Sequence, residues 1–282
     1  MPLKKNINIS VVIPNFNGAK YLSECLVHLH TAIHSCQQSK FEIILVDNGS
    51  SDNSLELFNY SSTPLVNHRT IKLKTNTGFA TAVNKGILAA KHEYVCLLNN
   101  DVNLDKNFFK LIISSIKKHP TVACFCGTVL SKDGSKIESQ GISFDWSGKC
   151  IQNHFSTSQP LNYSSKHVWG SSGAAVIYNK DILLKIGLYD EHYFAYIEDV
   201  DVAFRLNKNN YKTLLIPSAK AFHLGGATSN KMGNFRAKQT FKNWIYFIKK
   251  NYSTTELLKN LPQIIVERLR NFSYLIKSTI NK

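Results

Sequence analysis

The sequence predicts an α/β protein in which helices flank a mostly parallel sheet and a helical extension closes the chain. Three observations carry this. Strand and helix signals alternate through the first hundred residues, which implies parallel strands joined by right-handed crossovers. Several apolar runs end in Asn or Asp, at the strand ends where open α/β sheets place their ligands. After residue 235 the periodicity is helical only.

Each element has its own signal. "INISVVIP" (7–14) is β-branched and is ended by Pro14. Leu22, Leu26, Leu29 and Ile33 then form one helical stripe. "FEIILVD" (41–47) reads as a buried strand, and "NGSSDNSLELF" supplies a turn, cap residues and a helix start. "RTIKLKT" (69–75) alternates like a strand near the sheet edge, Gly78 to Ala90 reads as a small-residue helix, and "YVCLL" (94–98) as a buried strand. Phe108, Leu111, Ile112 and Ile116 predict a helix ending near His119–Pro120. Residues 121–170 read as irregular, with "SKDGSK" a hairpin turn. "GSSGAAVIYNKDILLK" predicts a strand and then a helix from Asp181, and "YKTLLIPSAKAFHLGG" a further short strand.

The chain has 282 residues, 43% hydrophobic and 19% charged, an ordinary globular composition. Its six cysteines contain no CxxC pair, which points to reduced core thiols in a cytoplasmic protein. The basic start lacks a cleavage signature and reads as the first strand. No run reaches the roughly 18–20 apolar residues of a membrane span. A formal charge of +15 suits an anionic partner, whether nucleic acid, lipid surface or phosphorylated substrate.

Three polar clusters follow predicted strands: Asp47–Asn48, Asn76–Thr77–Gly78 and Asn99–Asn100–Asp101, with Asn15 and Asn17 after the first. Any one of them is an ordinary turn; together they could line one crevice. Neither a Walker A loop nor a GxGxxG follows the first strand. In "YIEDVDVAFRL", Glu198, Asp199 and Asp201 crowd three carboxylates. They read either as a solvated helix N-terminus or as a site where a desolvated carboxylate serves as general base. His223, before Gly225–Gly226, reads as a packed residue or, with Asp101, as a mixed nitrogen and oxygen metal site.

"VVIPNFNGAKYLSECL", "EIILVDNGSSDNS", "NTGFATAVNKGI", "YVCLLNNDVNL", "GSSGAAVIYNKD", "GLYDEHYFAYIEDVDVAFRL" and "FHLGGATS" occur in an order that resembles the inverting family 2 glycosyltransferases, rhamnosyltransferase-like branch. The resemblance covers roughly residues 8 to 230. It implies a Rossmann-like GT-A domain over 1–230 and a basic amphipathic helical extension over 231–282. It further implies transfer of a sugar, rhamnose by this branch, from a nucleotide-diphosphate donor to a surface-polysaccharide or lipid-linked glycan hydroxyl. Asp199 would be the catalytic base. Asp47 would contact base or ribose, with Pro14, Asn15 and Asn17 shaping that pocket. Asn76, Gly78 and Asn84 would line the nucleotide-sugar site, and Asn100 and Glu198 would also bind substrate. Asp101, His223 and Asn99 would hold Mg²⁺ or Mn²⁺. Asn99 stands where the family has the first acid of its DxD motif, which lowers the charge of that site.

Three rivals remain. A glycoside hydrolase using Glu198 and Asp199 fits poorly, because adjacent residues rarely present carboxyls across a glycosidic bond. A basic nucleic-acid-binding protein would want aromatics among its cations on one platform, so nucleic acid is not expected as a partner. A degenerate transferase serving as a partner subunit is motivated by Asn99. In the tail, Leu261, Ile265, Leu269, Phe272, Ile276 and Ile280 form a stripe beside Arg268, Arg270 and Lys277. Upstream, Phe241, Trp244, Ile245 and Ile248 join Lys249 and Lys250. These helices either pack, on the domain or in a homo-oligomer, or make a peripheral contact with an anionic cytoplasmic membrane face. "KN" at Lys242–Asn243 stands where the family usually has "RN", which suggests a role near the acceptor.

Overall fold

The computed structural model describes residues 6–61, 66–158, 164–224 and 234–280. The first half alternates as the sequence predicts: β1 (Ile9–Asn15), α1 (Ala19–His34), β2 (Phe41–Asp47), α2 (Ser54–Tyr60), β3 (Asn67–Lys72), α3 (Phe79–Ala89) and β4 (Tyr94–Leu98). These strands lie parallel in the order β3-β2-β1-β4. Asn15 is level with Asp47, so the polar strand ends share one edge of the sheet.

Every residue of β2 and β4 is buried, as expected of parallel strands covered on both faces. Val11, Ile43 and Cys96 face Leu22, Leu26 and Leu29 of α1 and Phe109 and Ile112 of α4 (Phe108–Lys118). Val12, Ile44 and Val95 face Val83 and Ile87 of α3. Each fully buried Leu or Ile contributes roughly 1.5–3 kcal/mol, so both faces stabilise the same edge.

The second half adds β5 (Val102–Leu104), β6 (Cys124–Ser131), β7 (Ile137–Ser139), β8 (Ile142–Asp145), β9 (Lys149–Gln152), β10 (Lys166–Val168), β11 (Ala175–Asn179), α5 (Lys180–Lys185), α6 (Glu198–Lys208) and β12 (Thr213–His223). The main sheet runs β10-β12-β6-β11-β4-β1-β2-β3, with β5 on β12 and β7 on β6. β11 is antiparallel to both neighbours, so the sheet is parallel in its first half and mixed beyond β4. The segment read as irregular therefore holds a central strand, β6. It lacks alternation because both its faces are buried. Its Gly127 lies where a Cβ would strike the Ala219 carbonyl, beside an irregularity in the β6–β12 register.

A third cluster joins Ile142, Tyr193 and Phe204 to Trp244, Phe247 and Ile248 of α7 (Phe235–Asn251) and Ile264 of α8 (Thr254–Ile280). The face that α8 turns to the body is partly polar: Asn260 and Glu267 are buried with Ile264. Leu261, Ile265, Leu269, Phe272 and Ile276 point outward, 40–63% exposed. The side chain of Ile280 lies outside the described residues. Two cations read with the tail's basic surface turn inward instead. Arg268 lies over the Trp244 ring and donates to the Gly148 carbonyl at 2.6 Å. Lys250 pairs with Asp190 and Asp201.

Candidate active site

The shared strand edge opens into a cleft of about 390 Å³. Its floor is a network of amides. Asn15, at the end of β1, accepts from Asn100 Nδ2 at 2.7 Å and donates to Ser50 Oγ at 3.2 Å. Asn48, one residue past β2, donates to Asn76 Oδ1 and the Gly78 carbonyl and accepts from the Thr77 N–H at 2.9 Å. It thereby clamps the loop before α3. Gly78 adopts φ 91°, and a Cβ there would meet the Phe194 carbonyl at 2.7 Å, so only glycine lets this loop approach the 194 segment. Beside this network Asp47 is 3% exposed, and its Oδ1 has no hydrogen-bond partner. Such an orphan costs about 1–3 kcal/mol unless a ligand supplies a donor.

At a second corner, the pairing of β5 with β12 sets Val102 opposite His223 and brings Asp101 to that histidine. His223 Nε2 lies 3.4 Å from Asp101 Oδ2, and its Nδ1 lies 2.6 Å from Glu138 Oε2 on β7. Burial alone would lower the imidazole pKa, but the two carboxylates override it and hold it up at about 10. Asn99 adds a buried, unpartnered Oδ1. The Asp101 carboxylate and the free Asn99 amide oxygen suit Mn²⁺ or Mg²⁺, whereas His223, held as an imidazolium between two carboxylates, would have to lose a proton to join them. Among the described residues no group of three His, Cys, Asp or Glu is arranged to hold a metal ion, so a ligand's oxygens would have to complete the shell. Gly225–Gly226 lie outside the described residues.

The third corner is the start of α6. The chain reaches it through Tyr196 and Ile197, both with positive φ. The three acids then separate. Asp201 is fully buried and points away, held by Arg205 at 2.7 Å, Lys250 at 2.9 Å and Asn251 at 2.9 Å. Glu198 and Asp199 line the cleft. Asp199 accepts from the Val200 N–H at 2.8 Å and the Gly173 N–H at 3.3 Å. Burial nevertheless pushes its carboxyl above the ordinary range, against the pull of those donors. Burial and then the charge of Asp199 raise Glu198 also, whose Oε2 has no partner.

Of the residues singled out in the sequence, Pro14, Asn15, Asn76, Asn99, Asn100, Asp101, Glu198, Asp199 and His223 meet in this cleft. Asp47 and Gly78 are not among its lining residues: Asp47 is buried at the end of β2, and the Gly78 carbonyl is taken by Asn48. Asn17 instead braces the loop after β2, accepting from the Ser51 N–H at 2.8 Å. Asn84 is on the far side of α3, where its amide bonds both backbone groups of Tyr189 and the Glu191 carboxylate. Its side chain thus ties α3 to the 189–191 segment and is not among the residues lining the cleft. The sequence reading assigned no role to Ser172–Ala174, Phe235 or Glu138. The first belong to the small-residue run "GSSGAA", a usable signal; Glu138 sits in the segment read as irregular and had none.

Residues 10–187 match a family model described as Glycosyl transferase family 2. The poly-beta-1,6-N-acetyl-D-glucosamine synthase of Staphylococcus epidermidis is 26% identical over 218 residues, 77% of this chain and 50% of that protein. The chain thus spans about half the length of the curated relatives it matches. Among solved structures, the mannosyltransferase PcManGT from Pyrobaculum calidifontis with GDP-Man and Mn²⁺ aligns with a TM-score of 0.65 at 15% identity. That alignment covers 98% of this chain and 74% of the other. S. aureus TarS with UDP-GlcNAc aligns with a TM-score of 0.64 at 18% identity, covering 94% and 72%. These likenesses show a GT-A-type fold with C-terminal helices.

Proposed function

The chain belongs to glycosyl transferase family 2, and on that premise we propose that it is an inverting transferase using a nucleotide-diphosphate sugar. The acceptor is a hydroxyl of a surface-polysaccharide or lipid-linked glycan. The observation that carries this is one cleft combining an orphaned acceptor at Asn99 and the Asp101 carboxylate with a desolvated carboxylate at Asp199. Asp47 accepts from base or ribose, with Pro14 and Asn15 forming the wall. Asp101 and the Asn99 amide, joined by His223 once deprotonated, would hold Mg²⁺ or Mn²⁺, and such an ion would supply charge compensation for the departing diphosphate. Asp199 takes the acceptor's proton as its oxygen attacks the anomeric carbon opposite the diphosphate; the bond to the diphosphate breaks and the configuration inverts. Glu198, kept protonated by burial, donates a hydrogen bond to a sugar hydroxyl.

The donor we favour is dTDP-rhamnose, on the ordered motifs shared with the rhamnosyltransferase-like branch. UDP-GlcNAc is the competing donor, because the relatives' names carry that sugar. Incubation with dTDP-rhamnose, UDP-GlcNAc and GDP-mannose, following diphosphate release and product configuration, is the test. Release from none of them, or a retained configuration, sinks the reading.

The division at residue 230 belongs to the same proposal, with α8 as the membrane-facing part of the 231–282 extension. Its support is the outward apolar face of α8, flanked by exposed Lys259, Arg270 and Lys277. Each such cation contributes about 1 kcal/mol at an anionic surface, less in salt. Reversible attachment at the cytoplasmic face follows, with the six free cysteines suiting a reducing compartment. Among the described residues no helix is long and apolar enough to cross a membrane. Salt-sensitive co-sedimentation with anionic but not neutral vesicles is expected, lost on deleting 261–282. A dimer in solution without vesicle binding would assign that face to a second copy.

A further inference from the structure

The approach to α6 is strained. Tyr196 and Ile197 are consecutive non-glycine residues at φ 70° and 74°, a region L side chains rarely adopt and β-branched ones least of all. Ile197 is also the N-cap of α6 and supplies no side-chain cap. Nothing in the local sequence favours this turn, yet it aims Glu198 and Asp199 into the cleft. Strain of this kind persists only where surrounding structure over-determines it.

Two contacts do so. From one side, the Phe79 N–H at the start of α3 donates to the Phe194 carbonyl at 2.6 Å. From the other, Asn243 of α7 donates through Nδ2 to the carbonyls of Ala195 and Tyr196, at 2.8 and 2.7 Å. Asn243 is 1% exposed, so both bonds are made away from solvent. Its two N–H bonds meet two successive carbonyls, which fixes the peptide planes on either side of the Tyr196 Cα and with them its φ and ψ.

We propose that Asn243 is a positioning residue for the base: it holds the left-handed turn that sets Asp199 in the cleft. It acts through the backbone of residues 195 and 196, on an element outside the matched segment 10–187, and so makes α7 part of the catalytic apparatus. This rests on the reading of Asp199 as base.

Asn243→Asp keeps the shape and removes both donors. Hydrogen exchange by mass spectrometry should rise about tenfold over residues 194–201 and change little elsewhere. The kcat should fall about 10–100-fold, as a misplaced base does, with donor KM and nucleotide diphosphate Kd within about twofold. Adding Ile197→Asn, a residue that tolerates left-handed φ and favours N-caps, should recover part of the lost kcat. Unchanged exchange over 194–201, or nucleotide affinity falling in step with kcat, overturns the proposal. Asn243→Ser keeps one donor and serves if the Asp variant does not fold. An intermediate loss of kcat supports the proposal; wild-type kcat and exchange overturn it. The exchange readout is independent of sugar transfer, and Asp199→Asn run alongside tests the base assignment separately.

Discussion

Along the strand ends Asn15, Asn48, Asn76 and Asn100 bond one another or nearby backbone and carry no charge. Around them Asp47, Glu198 and Asp199 are buried or half-buried carboxyls, two of them with raised pKa and two with an unpartnered oxygen. The amides shape a pocket without a field that would repel an anionic diphosphate. The carboxyls sit where desolvation makes them reactive and costs stability. Shape and chemistry are thus carried by different side chains, and substitutions in the two sets should behave differently.

The largest effect is expected in the carboxyl set. Asp199→Asn should lower kcat by about 10²–10⁴, the usual contribution of a positioned base, while nucleotide affinity is kept. Its thermal midpoint should be unchanged or higher, because a carboxyl whose folded pKa is raised favours the folded state at low pH and loses that advantage as pH rises through the folded pKa. By the same sign, wild-type kcat/KM should rise with pH through an acid limb above the ordinary Asp value of about 3.9. Near wild-type turnover in the Asn variant would remove Asp199 from its role and leave Glu198, since Asp201 is occupied by Arg205 and Lys250.

Next comes the charged corner. Asp101→Ala and His223→Ala should each weaken nucleotide diphosphate binding in Mn²⁺ by at least about tenfold, with no change in EDTA. Calorimetry showing equal affinities with and without chelator would refute a metal-bridged site.

The smallest and most discriminating pair lies among the amides. Asn48→Ala and Asn84→Ala each strand buried backbone groups and should cost about 1–3 kcal/mol in urea unfolding. Only Asn48→Ala should also raise the nucleotide diphosphate Kd, by a few-fold. An equal effect of Asn84→Ala on Kd would bring that residue back to the site.

Much of this was legible beforehand for local reasons. Strands β1, β2 and β4 are β-branched or apolar runs that end in polar residues, and the α1 stripe repeats at helical spacing; both patterns survive without knowledge of the partner. Strand β6 was not legible, because Gly127 and Thr128 interrupt its apolar run, whereas the equally buried β2 and β4 carry four consecutive apolar residues. Arg268 and Lys250 read as surface cations, yet an aromatic ring and two carboxylates far along the chain draw them inward.

The sequence by itself determined that the polar strand ends would share an edge, because parallel strands joined by short crossovers must end alike. It also singled out the three acids of 198–201, with a helix N-terminus as one of two readings. Only the tertiary structure decided which of them faces the cleft. Asp199 and Asp201 lie about 200° apart around a helix, and Lys250 and Asn251 of distant α7, with Arg205 fixed by the carbonyls of Ile186 and Leu188, select the buried one. The meeting of Asp101, His223 and Glu138 depends likewise on the registers of β5, β12, β6 and β7. Those registers are set by the packing of the whole sheet, and no window of the chain encodes them.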